Sequence, residues 1–512
     1  MKSNPGATPQ GVRTADGVET GPARIDAARL AGLFALGGAA VFVAMLPPVS
    51  DHAYQFYMAG RVLAGARLYV DIGAADMHAP LFTWLAMAVT LLGRPVGLSG
   101  LALYLLLVPL VVFWAVRQLW RMGLSDGWVL AVLAFALLTM AGPYAGQGEH
   151  LALVLALPWM AGTASAASGR PMSRLAGVTA GIAAGLGLAM KPHFALVWIG
   201  VELWLARRNG PRSLLRAESA AIASVFVLYV AATALITPTV FTLIPWVAPL
   251  YAQFAPMPVL EMLLDVRMLL LVAGVAAGFA GIGARNRFSS FARVTAIAAL
   301  AMTVAVLLQG KGWGYHWYPV TALSAILIGL ALHDRLGRLR VIATIALATV
   351  AIAGASMQVD RTARLLAGAP VLLPQLMEAV EQHAPGEPIV ALSYLLQTGF
   401  PLVNLTGTEW ASPYAHLWMV PALYTDAFAG RAPVRYRDTG KWVTVEQEMF
   451  DRLWDRIALD DPAITIVQAP FGNGFDMRAY FETDGRFRER FARSPVLDTI
   501  GSYIILGRPG DH

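Results

Sequence analysis

The 512-residue chain contains no cysteine. That excludes disulfides, thiolate metal centres and a cysteine nucleophile. Charge is also scarce. Only 14% of the residues are Asp, Glu, Lys or Arg, against roughly 25% in a soluble globular domain, so little of the chain can face water. Few acidic residues fall in the middle of apolar runs, where a proton- or ion-coupled transporter would place them. The first 23 residues lack the apolar core of a signal peptide. They are rich in Gly, Pro, Thr and Ala, and residues 1–28 are read as a disordered cytosolic tail.

What the chain has in abundance is apolar sequence, 57% of its residues. Much of it comes in blocks of about 20 residues, long enough to cross a bilayer. They lie near 29–47, 81–93, 98–116, 128–143, 150–166, 174–190, 193–206, 217–236, 263–283, 291–308, 316–332 and 340–357. The net charge of +6 does not point to nucleic acid, because the arginines lie between blocks rather than on one face. Arg117 and Arg121 form one cluster, and Arg170 and Arg174 the next. Arg207, Arg208, Arg212 and Arg216 follow, then Arg285, Arg287 and Arg293, then Arg335, Arg338 and Arg340. Two blocks separate consecutive clusters, so all five share one side, the cytosolic one by the positive-inside rule.

Block 81–93 would break that pattern if it spanned, and it is too short for a hydrocarbon core of roughly 30 Å. It reads instead as a helix on the outer surface. The expectation is an α-helical polytopic membrane protein of the bacterial inner membrane. It has about eleven spans in residues 29–357, a cytosolic N-terminus and a first extracytosolic loop at 48–97. Residues 358–512 regain charge and form an extracytosolic α/β domain behind a short linker. In that domain Pro388–Leu395 and Ala463–Gln468 read as buried strands, 444–458 as an amphipathic helix and 496–507 as a final strand or hairpin.

Polar residues collect at the outer ends of the blocks. Asp51 and His52 follow the first helix and Pro47-Pro48, with Arg61 further along and Asp71, Asp76 and His78 in the same loop. Glu149 and His150, Lys191 and His193, and Lys311, Tyr315 and His316 mark three more hairpins. Ionisable groups near a membrane core are costly and imply function. Each also has a structural reading. Asp51 can be a helix-end charge, Glu149 a helix cap, Lys191 a snorkelling side chain, and the Trp/Tyr-rich run 309–319 an interfacial belt. Together they suit group transfer. Asp51 could take the acceptor's proton as a general base. The lysines and histidines could hold the phosphate of a lipid-linked donor, and a divalent cation could bridge carboxylates and phosphate. Asn404-Leu405-Thr406 fits a glycosylation sequon but is read as incidental.

The order Asp51, then Tyr54–Gly65, then Leu68-Tyr69-Val70-Asp71, then Asp76-Met77-His78-Ala79-Pro80-Leu81 resembles the first outer loop of the GT-C glycosyltransferases. It is most similar to the protein O-mannosyltransferase and lipid A aminoarabinose transferase branch. The resemblance implies a polyprenyl-phosphate sugar donor, an extracytosolic acceptor (lipid, glycan or protein), membrane lipid as surroundings, and inverting displacement with Asp51 as the catalytic carboxylate. It implies that Arg61, Asp76, His78, Glu149, Lys191, Lys311 and His316 line the substrate site. If a metal is used, Asp51, His52, Asp76, His78 and Glu149 are its candidate ligands. Two positions depart from the pattern. The family's Asp-Glu pair is here Asp51-His52, and Ala79 stands where a second proline is common. The competing expectations are a transporter or lipid flippase, and a non-enzymatic protein that binds envelope glycan.

Overall fold

The computed structural model describes residues 26–76, 78–282, 288–470 and 474–510. Most of the N-terminal tail, together with Arg285 and Arg287, lies outside the described residues. The chain opens with α1 (Ala27–Ala44), α2 (Ser50–Leu63), α3 (Pro80–Gly93), α4 (Gly100–Arg121), α5 (Gly127–Ala134) and α6 (Gly148–Ala167). It continues with α7 (Arg174–Ala189), α8 (Ala195–Asn209), α9 (Ala217–Ile236), α10 (Thr239–Gln253) and α11 (Val259–Leu263). The bundle closes with α12 (Val266–Ile282), α13 (Ser289–Gln309), α14 (Gly314–His333) and α15 (Arg340–Ala367).

Among the described residues seven helices, α1, α4, α6, α9, α13, α14 and α15, are long and apolar enough to cross a membrane. Four further apolar stretches, Pro80–Val96, Gly127–Thr139, Arg174–Ala189 and Val266–Phe279, are shorter. α6 is the central pillar, with 89% of its most apolar window buried, whereas α9 buries only 22%. Val227, Leu228, Val230 and Leu235 of α9 are exposed, as suits a helix facing lipid. α1 stops at Ala44. Pro47 and Pro48 follow, and proline cannot continue a helical hydrogen-bond ladder. The chain turns there and re-enters a helix at Ser50.

The soluble-looking part carries a four-stranded sheet of order β1-β2-β4-β3, with β1 (Ile389–Leu392), β2 (Ile464–Gln468), β3 (Val496–Ile500) and β4 (Tyr503–Gly507). β1 and β2 pair in parallel, and β4 runs antiparallel to both β2 and β3. All four strands fall inside the segments read as strands. β1 and β2 are buried along their whole length, which is why they show as unbroken apolar runs. The amphipathic segment 444–458 lies within a helix, Val443–Asp460.

The junction differs from the expected short linker. α15 runs without a break through 357 to Ala367. Beyond it the C-terminal part shares a hydrophobic core with α2, the first long connection and α10, apart from the core of the bundle itself. Tyr54, Met58 and Tyr69 of the first long connection, Val247 and Leu250 of α10, and Phe400, Trp410 and Trp418 of the C-terminal part belong to one cluster. Polar contacts cross the same seam. Asn404 Nδ2 donates to the Ala53 carbonyl at 3.0 Å, Trp410 N to the Tyr57 hydroxyl at 2.7 Å, and Ala74 N to the Pro413 carbonyl at 2.9 Å. An interdomain core cannot be read from periodicity, because each half looks like an ordinary apolar patch on its own element.

Arg61, ten residues after Asp51 and hence about 15 Å along α2, also belongs to this seam. Its Nη1 pairs with Glu409 at 2.9 Å. Glu409 is 61% exposed, so Arg61→Ala is expected to cost less than about 1 kcal/mol, read as a small change in the thermal or denaturant midpoint. A loss of several kcal/mol would show that the pair is shielded from solvent.

Candidate active site

The residues singled out in the sequence sit at helix starts. Asp51 lies in the first turn of α2, Glu149 in the first turn of α6 and His316 in the first turn of α14. Asp76 and His78 come just ahead of Pro80, the opening residue of α3. Proline is favoured at that position because the missing N–H would be unpaired anyway. Acids belong at helix N-termini, where the peptide dipoles leave partial positive charge. Lys191 follows the end of α7, where the dipole favours a cation.

Those helix starts converge. Asp51 Oδ2 accepts a hydrogen bond from Gln147 Nε2 at 3.1 Å, which joins α2 to the start of α6. Two residues on, buried Glu149 forms an ion pair with Lys191. The Nε2 of His316 stands 3.7 Å from the same Glu149 oxygen. Tyr315 completes this wall: the Lys191 ammonium lies 5.1 Å from its ring centre, and its ring packs edge-on against His316 at 4.3 Å. The turn that delivers Gln147 and Glu149 depends on Gly146. Its φ is +88°, and a Cβ there would meet Val108 at 2.8 Å, so no other residue fits.

Asp76 and His78 form a second pair beside the first. Asp76 Oδ1 contacts His78 Nδ1 at 2.7 Å and accepts from His78 N at 3.0 Å. The Tyr69 hydroxyl donates to the His78 carbonyl at 2.6 Å and fixes the turn. Burial works to raise the Asp76 pKa, but the charge and hydrogen bonds of His78 outweigh it and hold the carboxyl below its usual value. In His78 burial is likewise outweighed by Asp76, so the imidazole sits above its usual range. The charges of Asp51 and Lys191 also act on His78. Tyr251, at the end of α10, ties the groups together. Burial raises its pKa first, and Asp51, Asp76 and Glu149 all add to the effect. Three carboxylates from three segments therefore act on one phenol.

Lys311 and His52 are directed elsewhere. The Lys311 ammonium donates to the carbonyls of Tyr251, at 2.6 Å, and Phe254. It thereby satisfies the Phe254 carbonyl past the end of α10 and adds a second donor to the Tyr251 carbonyl, which also accepts from Phe254 N at 3.0 Å. Burial lowers its pKa to about 8. Lys311→Met is expected to leave the Phe254 carbonyl without its donor and loosen the end of α10. Amide hydrogen exchange at residues 250–254 would quicken several-fold at fixed pH, and unchanged exchange would show that the ammonium does not hold the helix end. His52 faces the interior, edge-on to Tyr104 at 5.7 Å, and burial lowers its pKa to about 4.

The candidate metal set does not assemble. Among the described residues no group of three or more His, Asp or Glu side chains is arranged to hold a metal ion. His52 is turned inward, and Lys191 already places a positive charge against Glu149, where a cation would have to sit. The donor set does not fit a divalent-cation centre.

No protein-family model and no curated protein matches the chain by sequence. Solved structures do match. The crystal structure of ArnT from Cupriavidus metallidurans bound to undecaprenyl phosphate superposes with a TM-score of 0.55 at 14% identity, over 94% of this chain and 98% of that one. The same protein in the apo state gives 0.53 and 14%, over 93% and 97%. The chain has the ArnT fold. This is the fold that the resemblance of the first outer loop implied, and ArnT matches it along nearly its whole length, C-terminal part included.

Several members of the site were not singled out from the sequence. Gln147 is one residue from a glycine turn and two from Glu149, and Tyr251 lies in a Pro-containing amphipathic helix, so neither carried a charge signal.

Proposed function

We propose that the chain is a membrane glycosyltransferase. It would move a sugar from a polyprenyl-phosphate carrier to an acceptor on the non-cytosolic face of the bacterial inner membrane, with the C-terminal part on that face. The observation that carries this reading is the meeting of Asp51, the Asp76–His78 pair and the Glu149–Lys191–His316 group at one end of a bundle with the ArnT fold. ArnT has been crystallised with undecaprenyl phosphate, a donor carrier without its sugar.

In this reaction the acceptor O–H or N–H attacks the anomeric carbon. The bond from that carbon to the phosphate oxygen breaks, the sugar inverts, and the carrier leaves as polyprenyl phosphate. Asp51 takes the acceptor proton, with Gln147 fixing the orientation of its carboxylate. Lys191, His78 and the positive ends of α2, α6 and α14 supply the electrostatic stabilisation that the departing phosphate needs. Lys191 stays anchored by Glu149, so its ammonium is preorganised rather than free to wander. A transporter would need ionisable groups strung along the mid-membrane path, whereas Asp51, Asp76, His78, Glu149 and Lys191 meet around the starts of α2, α3 and α6.

The test is a comparison of envelope glycans from a deletion strain and its parent by mass spectrometry, followed by transfer assays with purified protein and polyprenyl-phosphate sugars. A glycan or lipid lacking one sugar in the deletion strain, restored by the wild-type chain, is the expected result. An unchanged envelope, together with no transfer from any such donor, would leave the reading without support.

A further inference from the structure

The Asp76–His78 pair has one open position. Asp76 Oδ1 is engaged by His78, while its Oδ2 is buried and has no hydrogen-bond partner among the described residues. A carboxylate oxygen in that condition is costly unless a donor faces it. Two buried groups without a hydrogen-bond partner among the described residues face it, the Tyr54 hydroxyl and, from the C-terminal part, His416. His416 and Asp76 act on each other electrostatically, and His416 also feels His78. The His416 Nδ1 is itself buried without a hydrogen-bond partner among the described residues.

The segment that presents His416 is held on both sides. The Pro413 carbonyl accepts from Ala74 N, two residues before Asp76, at 2.9 Å, and Leu417 N donates to the Ser393 carbonyl at 2.9 Å. The Tyr414 carbonyl accepts from Trp410 Nε1 at 2.8 Å. The segment is thereby held beside the turn that carries Asp76. Burial lowers the His416 pKa to about 4, so the imidazole is neutral at neutral pH and offers one N–H and one lone pair. Tyr54, Tyr69 and Tyr251 also face Asp76, and Asp51 and Lys191 face His78.

We propose that His416 is a positioning residue of the site, contributed by the C-terminal part, which holds Asp76 and through it fixes the His78 ring beside Asp51. The proposal rests on the glycosyltransferase reading and gives the C-terminal part a share in the chemistry besides covering the bundle.

The test uses the full chain with His416→Phe, which keeps ring volume and removes both nitrogens, and His416→Gln, which restores an N–H donor. In the transfer assay His416→Phe is expected to lower kcat by about tenfold or more, with the donor KM within about threefold. His416→Gln is expected to recover kcat to within about threefold. Wild-type kcat in His416→Phe would overturn the proposal. So would a variant pair in which melting temperature recovers with Gln but kcat does not, since that pattern marks a purely packing role. If the wild-type chain itself transfers no sugar, the glycosyltransferase reading fails, and His416 is then judged by a second measurement. Acylation of the partly exposed His78 by diethyl pyrocarbonate, followed by peptide mass spectrometry, should be at least about threefold faster in His416→Phe and return to the wild-type rate in His416→Gln. An unchanged rate in His416→Phe overturns the proposal on that measure.

Discussion

Replacing Asp51 with Asn is expected to lower sugar transfer by about 100- to 10,000-fold, the usual worth of a positioned general base. The substitution keeps a side-chain oxygen that can accept from Gln147 Nε2, now 3.1 Å from Asp51 Oδ2. The start of α2 should therefore fold as before, with only a small loss from the helix dipole. What disappears is the capacity to take a proton. The acceptor would still bind, so its KM should change much less than kcat. The measurement is steady-state transfer by purified protein, paired with a melting curve. Full-rate transfer by a well-folded Asp51→Asn variant would remove Asp51 from the mechanism and leave the Asp76–His78 pair as the place to look for the base.

The second large effect concerns the Glu149–Lys191 pair. Glu149 is 1% exposed and Lys191 22%. Removing one member of a buried pair typically costs about 3–5 kcal/mol, because the other charge is left without compensation. Lys191 keeps some access to solvent, so Glu149→Gln is expected to cost about 2–3 kcal/mol, read as a shift in the denaturation midpoint. His316, 3.7 Å from the same carboxylate, loses its neighbour too. The double variant Glu149→Gln with Lys191→Met removes both charges and should recover most of that stability. It should not recover transfer, because the ammonium assigned to the donor phosphate is then gone. Recovery of both stability and transfer in the double variant would show that the pair is structural only.

The parts of this architecture that could be read in the sequence are those governed by local rules. Blocks of apolar residues and the arginines between them located the helices. Alternation and unbroken apolar runs located β1, β2 and the closing hairpin. Asp51, Glu149, Lys191 and His316 were visible because a charge at the end of an apolar block is energetically conspicuous. What stayed hidden depends on contacts across long stretches of chain. Lys311 carries the same charge as Lys191, yet its ammonium caps the end of α10, a fate set by where α10 stops. His52 neighbours Asp51 in sequence but points inward, because consecutive residues on a helix are about 100° apart. Arg61 lies on the same helix as Asp51 but meets Glu409 at the far end. Gln147 and His416 are neutral and gave no warning.

The shared core between the first long connection and the C-terminal part has a consequence for how the protein is made. Asn404 and its partner Ala53 are 351 residues apart, and translation at roughly 5–20 residues per second separates their synthesis by about 20 to 70 s. Throughout that interval Tyr54, Met58 and Tyr69 have emerged without the side chains that will cover them. The nascent chain thus carries a sticky, half-finished surface through most of its insertion. Biogenesis of this protein is an exercise in waiting, and a ribosome that stalls before residue 389 strands an apolar face with nothing to close it.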